Sequence, residues 1–116
     1  MARAATTSDA FNAIAEPRRR EIIALLADGG EQAVGDVVRK LRIAQPAASK
    51  HLGVLRKVRL VTVTRRGRSR LYRLNAQELK PVYDWTKTFE KFWDNQLARI
   101  TARAEQKARE RSARTN

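Results

Sequence analysis

Apolar residues recur along this chain with two periods, and the changes of period mark its parts. The spacing is three and four residues up to Val58, two between Leu60 and Leu74, and three and four again beyond Pro81. Ser8 or Thr7 is placed to cap a first helix, along which Phe11, Ile14 and Ala15 form one apolar edge. Pro17 suits the first turn of a second helix, where an N–H would lack a partner in any case. The core face of that helix is Ile22, Ile23, Leu25 and Leu26, and Gly29-Gly30 ends it. Val34, Val37, Val38 and Leu41 predict a short third helix, after which Arg42-Ile43-Ala44 leaves room only for a tight turn.

A fourth helix is predicted from Gln45 to Val58. At about 100° per residue, Ala48, Leu52 and Leu55 share one side, and Pro46, Ser49, Lys50, Gly53 and Lys57 lie roughly opposite. Two short helices joined by a three-residue turn, the second with a basic, small-residue outer face, make a helix-turn-helix. Val61 and Val63, then Tyr72 and Leu74, alternate with polar residues as half-buried strands do. Between them sits Arg65-Arg66-Gly67-Arg68-Ser69-Arg70, where Gly67 allows the positive φ of a hairpin turn. The prediction is a β-hairpin with a basic tip, the wing of a winged helix. Asn75 and Glu78 are spaced as a capping pair, yet Pro81 would interrupt a helix begun there. A turn at 76–80 and a long helix from about Pro81 are expected instead. In that helix Val82, Trp85, Phe89, Phe92, Trp93, Leu97, Ile100 and Ala104 form a stripe, more apolar area than a lone surface helix should carry. The fold class is mainly α with a small β-hairpin.

Charge sharpens this picture. The 116 residues suit one domain, 42% hydrophobic content suffices for a core, and a net charge of +13 points to a polyanionic partner. Acids are absent from residues 37–77, which hold twelve Lys or Arg, while the flanking stretches nearly balance. A charge run is often only a solvated face, but one that excludes acids across a folded stretch this long favours nucleic acid. With no cysteine and one histidine, disulfides, thiolate nucleophiles, sulfur-based zinc sites and multi-histidine metal cages are excluded. No Gly-rich phosphate loop or Gly-x-Ser-x-Gly turn occurs, so the expectation is no enzyme, no cofactor and no metal. No apolar run approaches the ~20 residues of a membrane span and the N-terminus lacks a secretory stretch, so no membrane partner and a cytoplasmic location are expected.

Three stretches carry a family likeness: Asp9-Ala-Phe-Asn-Ala-Ile-Ala-Glu-Pro17-Arg-Arg-Arg, Gln45-Pro-Ala-Ala-Ser-Lys-His-Leu-Gly-Val-Leu55, and Gly67-Arg-Ser-Arg-Leu-Tyr-Arg-Leu74. Over roughly residues 8–100 the chain resembles the ArsR family of bacterial winged helix-turn-helix regulators, and the spaced Ser49, His51 and Leu52 are the most specific signal. The resemblance implies a homodimer formed by the first and last helices, which represses by occupying an imperfect palindrome in promoter DNA, often its own. Metal-sensing members use cysteines beside the third helix, or His and Asp on the last. This chain has neither set and is similar to members that bind no metal, including a group with a tryptophan-containing final helix. It departs from the family at Ala44, usually a Ser or Thr cap, where about 1 kcal/mol is lost unless Gln45 or a neighbour compensates. It departs again at Arg59, usually Gly, which must take an unfavourable turn conformation or end the helix differently.

The expected organisation is a loose end at 1–7, a winged helix-turn-helix DNA-binding and dimerisation domain at 8–105, and a basic, frayed tail at 106–116. On the fourth helix Ser49 and Lys50 are expected at base edges or phosphates. Gln45 either reads adenine or caps the helix, and Pro46, Arg56 and Lys57 complete the DNA-facing set. His51 is expected to make a structural hydrogen bond or a phosphate contact in preference to reading a base, and Gly53 either permits close approach or is a chance surface glycine. Arg65, Arg66, Arg68 and Arg70 are expected at phosphates or in the minor groove. Arg18, Arg19 and Arg20 are expected in salt bridges with Glu16 and Glu21, with phosphate contact as the alternative. Phe11, Trp85, Phe89, Phe92, Trp93, Leu97 and Ile100 are assigned to the dimer interface, the alternative for the aromatics being a ligand pocket. The expected function is a dimeric, sequence-specific repressor of its own or neighbouring genes, released by a non-metal small-molecule effector the sequence does not identify or by a change in its own level. The rivals are an architectural protein that binds DNA without sequence preference and an interaction adaptor that uses the aromatic helix.

Overall fold

The first helix is held by its alanines. α1 (Thr6–Ile14) buries Ala10 and Ala13 and half-buries Phe11 and Ile14, while Ala15, expected on its apolar edge, lies past its end and exposed. The computed structural model describes residues 6–115, which fall into two compact units divided between Val82 and Tyr83. α1 already includes Thr7 and Ser8, so neither is its cap, and the rest of the expected loose end lies outside the described residues.

In the first unit α2 (Pro17–Gly29) starts as its sequence requires: Glu16 accepts a hydrogen bond from the Arg18 N–H at 3.2 Å, and Pro17 fills the first position. Gly30, at φ 75°, ends it by donating to the Leu26 carbonyl. β1 (Gln32–Ala33) leads into α3 (Val34–Leu41), and α4 (Gln45–Lys57) follows the predicted tight turn, in which Arg42 takes φ 55°. Ile22, Leu26, Val37, Ala48, Leu52, Leu55, Leu60 and Val61 interlock as one buried core. Ala44 makes no side-chain cap on α4, so the missing hydroxyl is not replaced.

α4 ends in a Schellman turn. The Leu60 N–H reaches the Leu55 carbonyl and the Arg59 N–H the Arg56 carbonyl, both at 3.0 Å, with Arg59 at φ 68°. Arg59 therefore does adopt the conformation usually left to glycine. Asn75 fastens the turn, donating through Nδ2 to the Arg59 carbonyl at 3.0 Å and through its backbone N–H to the Leu60 carbonyl at 2.8 Å.

β2 (Val61–Arg66) and β3 (Ser69–Leu74) form the predicted hairpin, but it is tighter than the six-residue basic tip implied, because Arg66 pairs with Ser69. Gly67 takes φ 60° in the resulting two-residue loop. β1 adds to β3 with Gln32 opposite Tyr72, giving an antiparallel sheet in the order β1-β3-β2. Two residues are too few for a period, so β1 had no signature in the apolar pattern. Its Gln32 is buried and satisfied at both ends, by the Gly29 carbonyl and by Lys40 Nζ, each at 3.1 Å. A Cβ on Gly29 would stand 2.7 Å from Gln32 Nε2, so a larger residue there would displace the Gln32 amide from its place.

A 3₁₀ turn at Ala76–Leu79 precedes α5 (Lys80–Lys87), and α6 (Glu90–Thr115) forms most of the second unit. The single long helix expected from Pro81 is thus broken at Thr88-Phe89. Thr86 and Thr88 each donate a hydroxyl to the carbonyl three residues back, at 2.8 Å, and the Thr88 and Phe89 N–H groups also bond three residues back, which tightens the turn. α6 continues through the stretch expected to fray, as its Ala, Arg, Glu, Gln and Lys content favours.

Candidate nucleic-acid interface

Burying Ala48, Leu52 and Leu55 turns the opposite side of α4 outward. Gln45, Pro46, Ser49, Lys50, Gly53, Arg56 and Lys57 are all exposed, on a helix that carries no acid. A Cβ at Gly53 would meet nothing within 4 Å, so nothing in the fold demands glycine there and its effect is to keep the outer surface low.

The sheet carries the wing to the same place. Ser49 of α4, Arg68, Ser69, Arg70 and Tyr72 of the hairpin, and Ala33 and Val34 line one open groove of about 350 Å³. Three of the sequence-assigned residues, Ser49, Arg68 and Arg70, therefore meet in one concavity. The groove's Ser69, Tyr72, Ala33 and Val34 were not foreseen, since only the β1–β3 pairing brings 33 and 34 to the wing. The ladder sets Arg65 directly opposite Arg70, a like-charge pair that opposes the hairpin until a polyanion screens it. Arg66, also assigned to DNA, meets Glu31 at 3.4 Å.

His51 is half-buried, as its nearness to the core side implied. Its Nδ1 lies 3.4 Å from a guanidinium nitrogen of Arg19, which can only donate, so the contact is a hydrogen bond in the tautomer that leaves Nδ1 without a hydrogen. Arg19 also donates to the carbonyls of Ala13 and Asn12, and Arg20 to those of Ile14 at 2.8 Å and Ala15 at 3.2 Å. The expected salt bridges thus form only at Arg18, which pairs with Glu21 at 2.9 Å. Arg19 and Arg20 instead satisfy carbonyls at the end of α1, which have no partner within that helix. The triple arginine was visible in the sequence, but which of its members turns to α1 depends on packing.

Asp36, the acid nearest the basic stretch, is already engaged. It accepts from Arg39 at 2.8 Å and from the Ala33 N–H at 3.1 Å, the half of a capping box that Ala33 permits, and these two bonds hold its carboxyl below the usual carboxylate range.

The residues assigned to dimerisation divide between the units. Phe11 is half-buried on α1. In the second unit Trp85, Phe89, Phe92, Trp93, Leu97 and Ile100 are exposed, and so is Tyr83, which the stripe omitted. Trp85 and Phe89 meet edge to face at 5.3 Å, across the break between α5 and α6. Among the described residues no three His, Cys, Asp or Glu side chains gather where a metal ion could sit, and no helix is long and apolar enough to cross a membrane.

The profile of a family described as "Bacterial regulatory protein, arsR family" matches residues 16–63, which span α2 to the start of the wing. The transcriptional repressor SdpR of Bacillus subtilis is 33% identical over 90 residues, covering 78% of this chain and 99% of SdpR. The HTH-type transcriptional regulator Rv2034 of Mycobacterium tuberculosis is 36% identical over 88 residues, covering 76% of this chain and 78% of that protein. Among solved structures, an ArsR-like transcriptional regulator from Rhodococcus sp. RHA1 superimposes with a TM-score of 0.65 at 27% identity, covering 82% of this chain and 89% of that one.

Proposed function

The chain belongs to the ArsR family of bacterial DNA-binding transcriptional regulators, and on that premise we propose that it is a homodimeric repressor that binds an imperfect palindrome in duplex DNA without metal control. The observation that carries the reading is the groove in which Ser49 of α4 meets Arg68 and Arg70 of the wing, on a surface whose helix and hairpin tip contain no acid. α4 enters the major groove, where the Ser49 hydroxyl and the Lys50 ammonium meet base edges. Arg68 and Arg70 follow the adjacent backbone, and each phosphate they neutralise releases counterions. The Nε2 side of His51 lies away from the Arg19 contact and is the side that meets a phosphate oxygen.

Dimerisation is supported by the exposed aromatic and aliphatic side chains that follow one another along α5 and α6, the kind of surface that marks a protein contact. A palindromic target follows from two-fold symmetry. Independence from metals is supported by the lack of cysteine and by the engagement of the one histidine with Arg19. Repression, a cytoplasmic location and a non-enzymatic role rest on kinship with SdpR and regulators like it. The test is selection from a pool of random duplexes by the purified protein. A recovered inverted repeat with half-sites about one helical turn apart is expected, and recovery of no common sequence would favour an architectural protein instead.

A further inference from the structure

α6 carries a second positive surface that the proposed function leaves unused. From Arg99 through Arg103, Lys107 and Arg111 to Arg114 the steps are four, four, four and three residues, which at about 100° per residue keep all five within about 120° of the helix circumference. They continue the apolar side of the same helix. Ile100, Arg103, Ala104 and Lys107 line one shallow depression, and Lys107, Glu110, Arg111 and Arg114 line the next. A face that is aromatic and aliphatic up to Ile100 therefore turns basic, with Glu110 as its one acid, and every residue from Glu90 to Arg114 is exposed.

A second copy of the chain cannot close the basic half. Parallel helices would set arginine against arginine, and antiparallel helices joined through the apolar half would carry each basic half past the partner's aromatic stretch. From Ile100 to Thr115 the helix runs on for about 22 Å at 1.5 Å per residue. It stays helical there on strong helix formers, with Gln106 bonded to Glu110 at 3.3 Å, so the charges are arrayed along a rod. A membrane surface is the poorer match. A helix that lies on lipid sets a bulky apolar face against its basic one, and the opposite side here holds Thr101, Ala102, Glu105, Arg109 and Ser112.

We propose that the C-terminal half of α6 is a second DNA-binding surface, on which Arg103, Lys107, Arg111 and Arg114 contact duplex phosphates. The proposal rests on the reading of the protein as a DNA-binding regulator. These contacts add affinity and salt dependence without sequence preference.

The test compares the full chain with a variant carrying Arg103→Gln, Lys107→Gln, Arg111→Gln and Arg114→Gln, changes that keep helix propensity. Affinity for a random duplex of ~40 base pairs is measured by fluorescence anisotropy between about 50 and 200 mM salt. The variant is expected to lose roughly 2 to 4 from the slope of log affinity against log salt per subunit and on the order of 100-fold in affinity at the low-salt end. Its preference for a selected operator over random DNA should be unchanged. Equal slopes for variant and parent, while Arg68→Ala lowers the slope, would overturn the second surface and leave the proposed function standing. Failure of the parent itself to bind any duplex would overturn the proposed function first. Loss of binding to phosphatidylserine vesicles with DNA binding intact would assign the surface to lipid and overturn the proposal. If the fourfold variant loses helix content by circular dichroism, Arg103→Gln with Lys107→Gln, and Arg111→Gln with Arg114→Gln, are compared as two double variants. Each should lose about half of that slope, and parental slopes in both would overturn the proposal.

Discussion

Arg59 occupies a left-handed conformation in a turn fastened from both sides by Asn75. A side chain at such φ costs about 1 kcal/mol relative to glycine. Arg59→Gly should therefore raise the thermal midpoint by roughly 4 °C in a calorimetric scan, and a lower midpoint would show that the turn is not strained. Arg19 contributes in the opposite sense, since one guanidinium ties the end of α1 to His51 on α4. Arg19→Ala removes bonds from a charged donor and should cost about 1.5–3 kcal/mol by urea unfolding, and it should weaken DNA binding beyond the loss of one charge. A charge effect alone would be matched by Arg18→Ala. Asp36 adds a pH dependence. Its folded carboxyl titrates below the unfolded one, so its stabilisation is complete above about pH 4 and is lost as pH falls through the lowered folded value. Asp36→Asn keeps an acceptor for the Ala33 N–H but loses the charge, so its urea midpoint should lie below the parent's at pH 7 and converge on it near pH 2. A constant gap would remove Asp36 as the cause.

Elements with a strong period were legible in the sequence. Ala48, Leu52 and Leu55 are fully buried, on the side of α4 that their spacing selected, and Val61 and Val63 alternate with exposed Thr62 and Thr64. Elements held by single hydrogen bonds were not. β1 exists because Gln32 and Ala33 find β3, and the α5–α6 break because two threonines bond back to their own helix. An apolar stripe runs through such a break unchanged, which is why the sequence suggested one helix. The fourth helix and the wing were likewise readable as separate basic elements, but their convergence on one groove depends on the register of β3 between β1 and β2. The aromatic face gives a prediction at this scale. In the proposed dimer this face is covered, and truncating a buried Trp or Phe costs about 3–5 kcal/mol, so Trp85→Ala or Phe92→Ala should move the mass from dimer to monomer, or unfold the protein, in analytical ultracentrifugation. Stable dimers of both variants would place the interface elsewhere.

Across the whole chain the charge is unevenly dealt, with residues 37–77 carrying twelve bases and no acid. Folding concentrates them, setting Arg65 against Arg70 and bringing Arg68 and Arg70 to the groove that Ser49 lines. Such an arrangement opposes the folded state unless a polyanion offsets it, so duplex DNA should raise the thermal midpoint of the protein as well as bind it. In the proposed function α4 reads sequence and the wing supplies affinity. Salt-dependent anisotropy titrations of Ser49→Ala and Arg68→Ala on a selected operator and on random duplex separate the two roles. Ser49→Ala should lose about 1–3 kcal/mol on the operator and much less on random DNA, whereas Arg68→Ala should weaken both alike and lower the salt slope by about one per subunit. A wing variant that lost operator preference, beside a helix variant that kept it, would assign base readout to the wing instead.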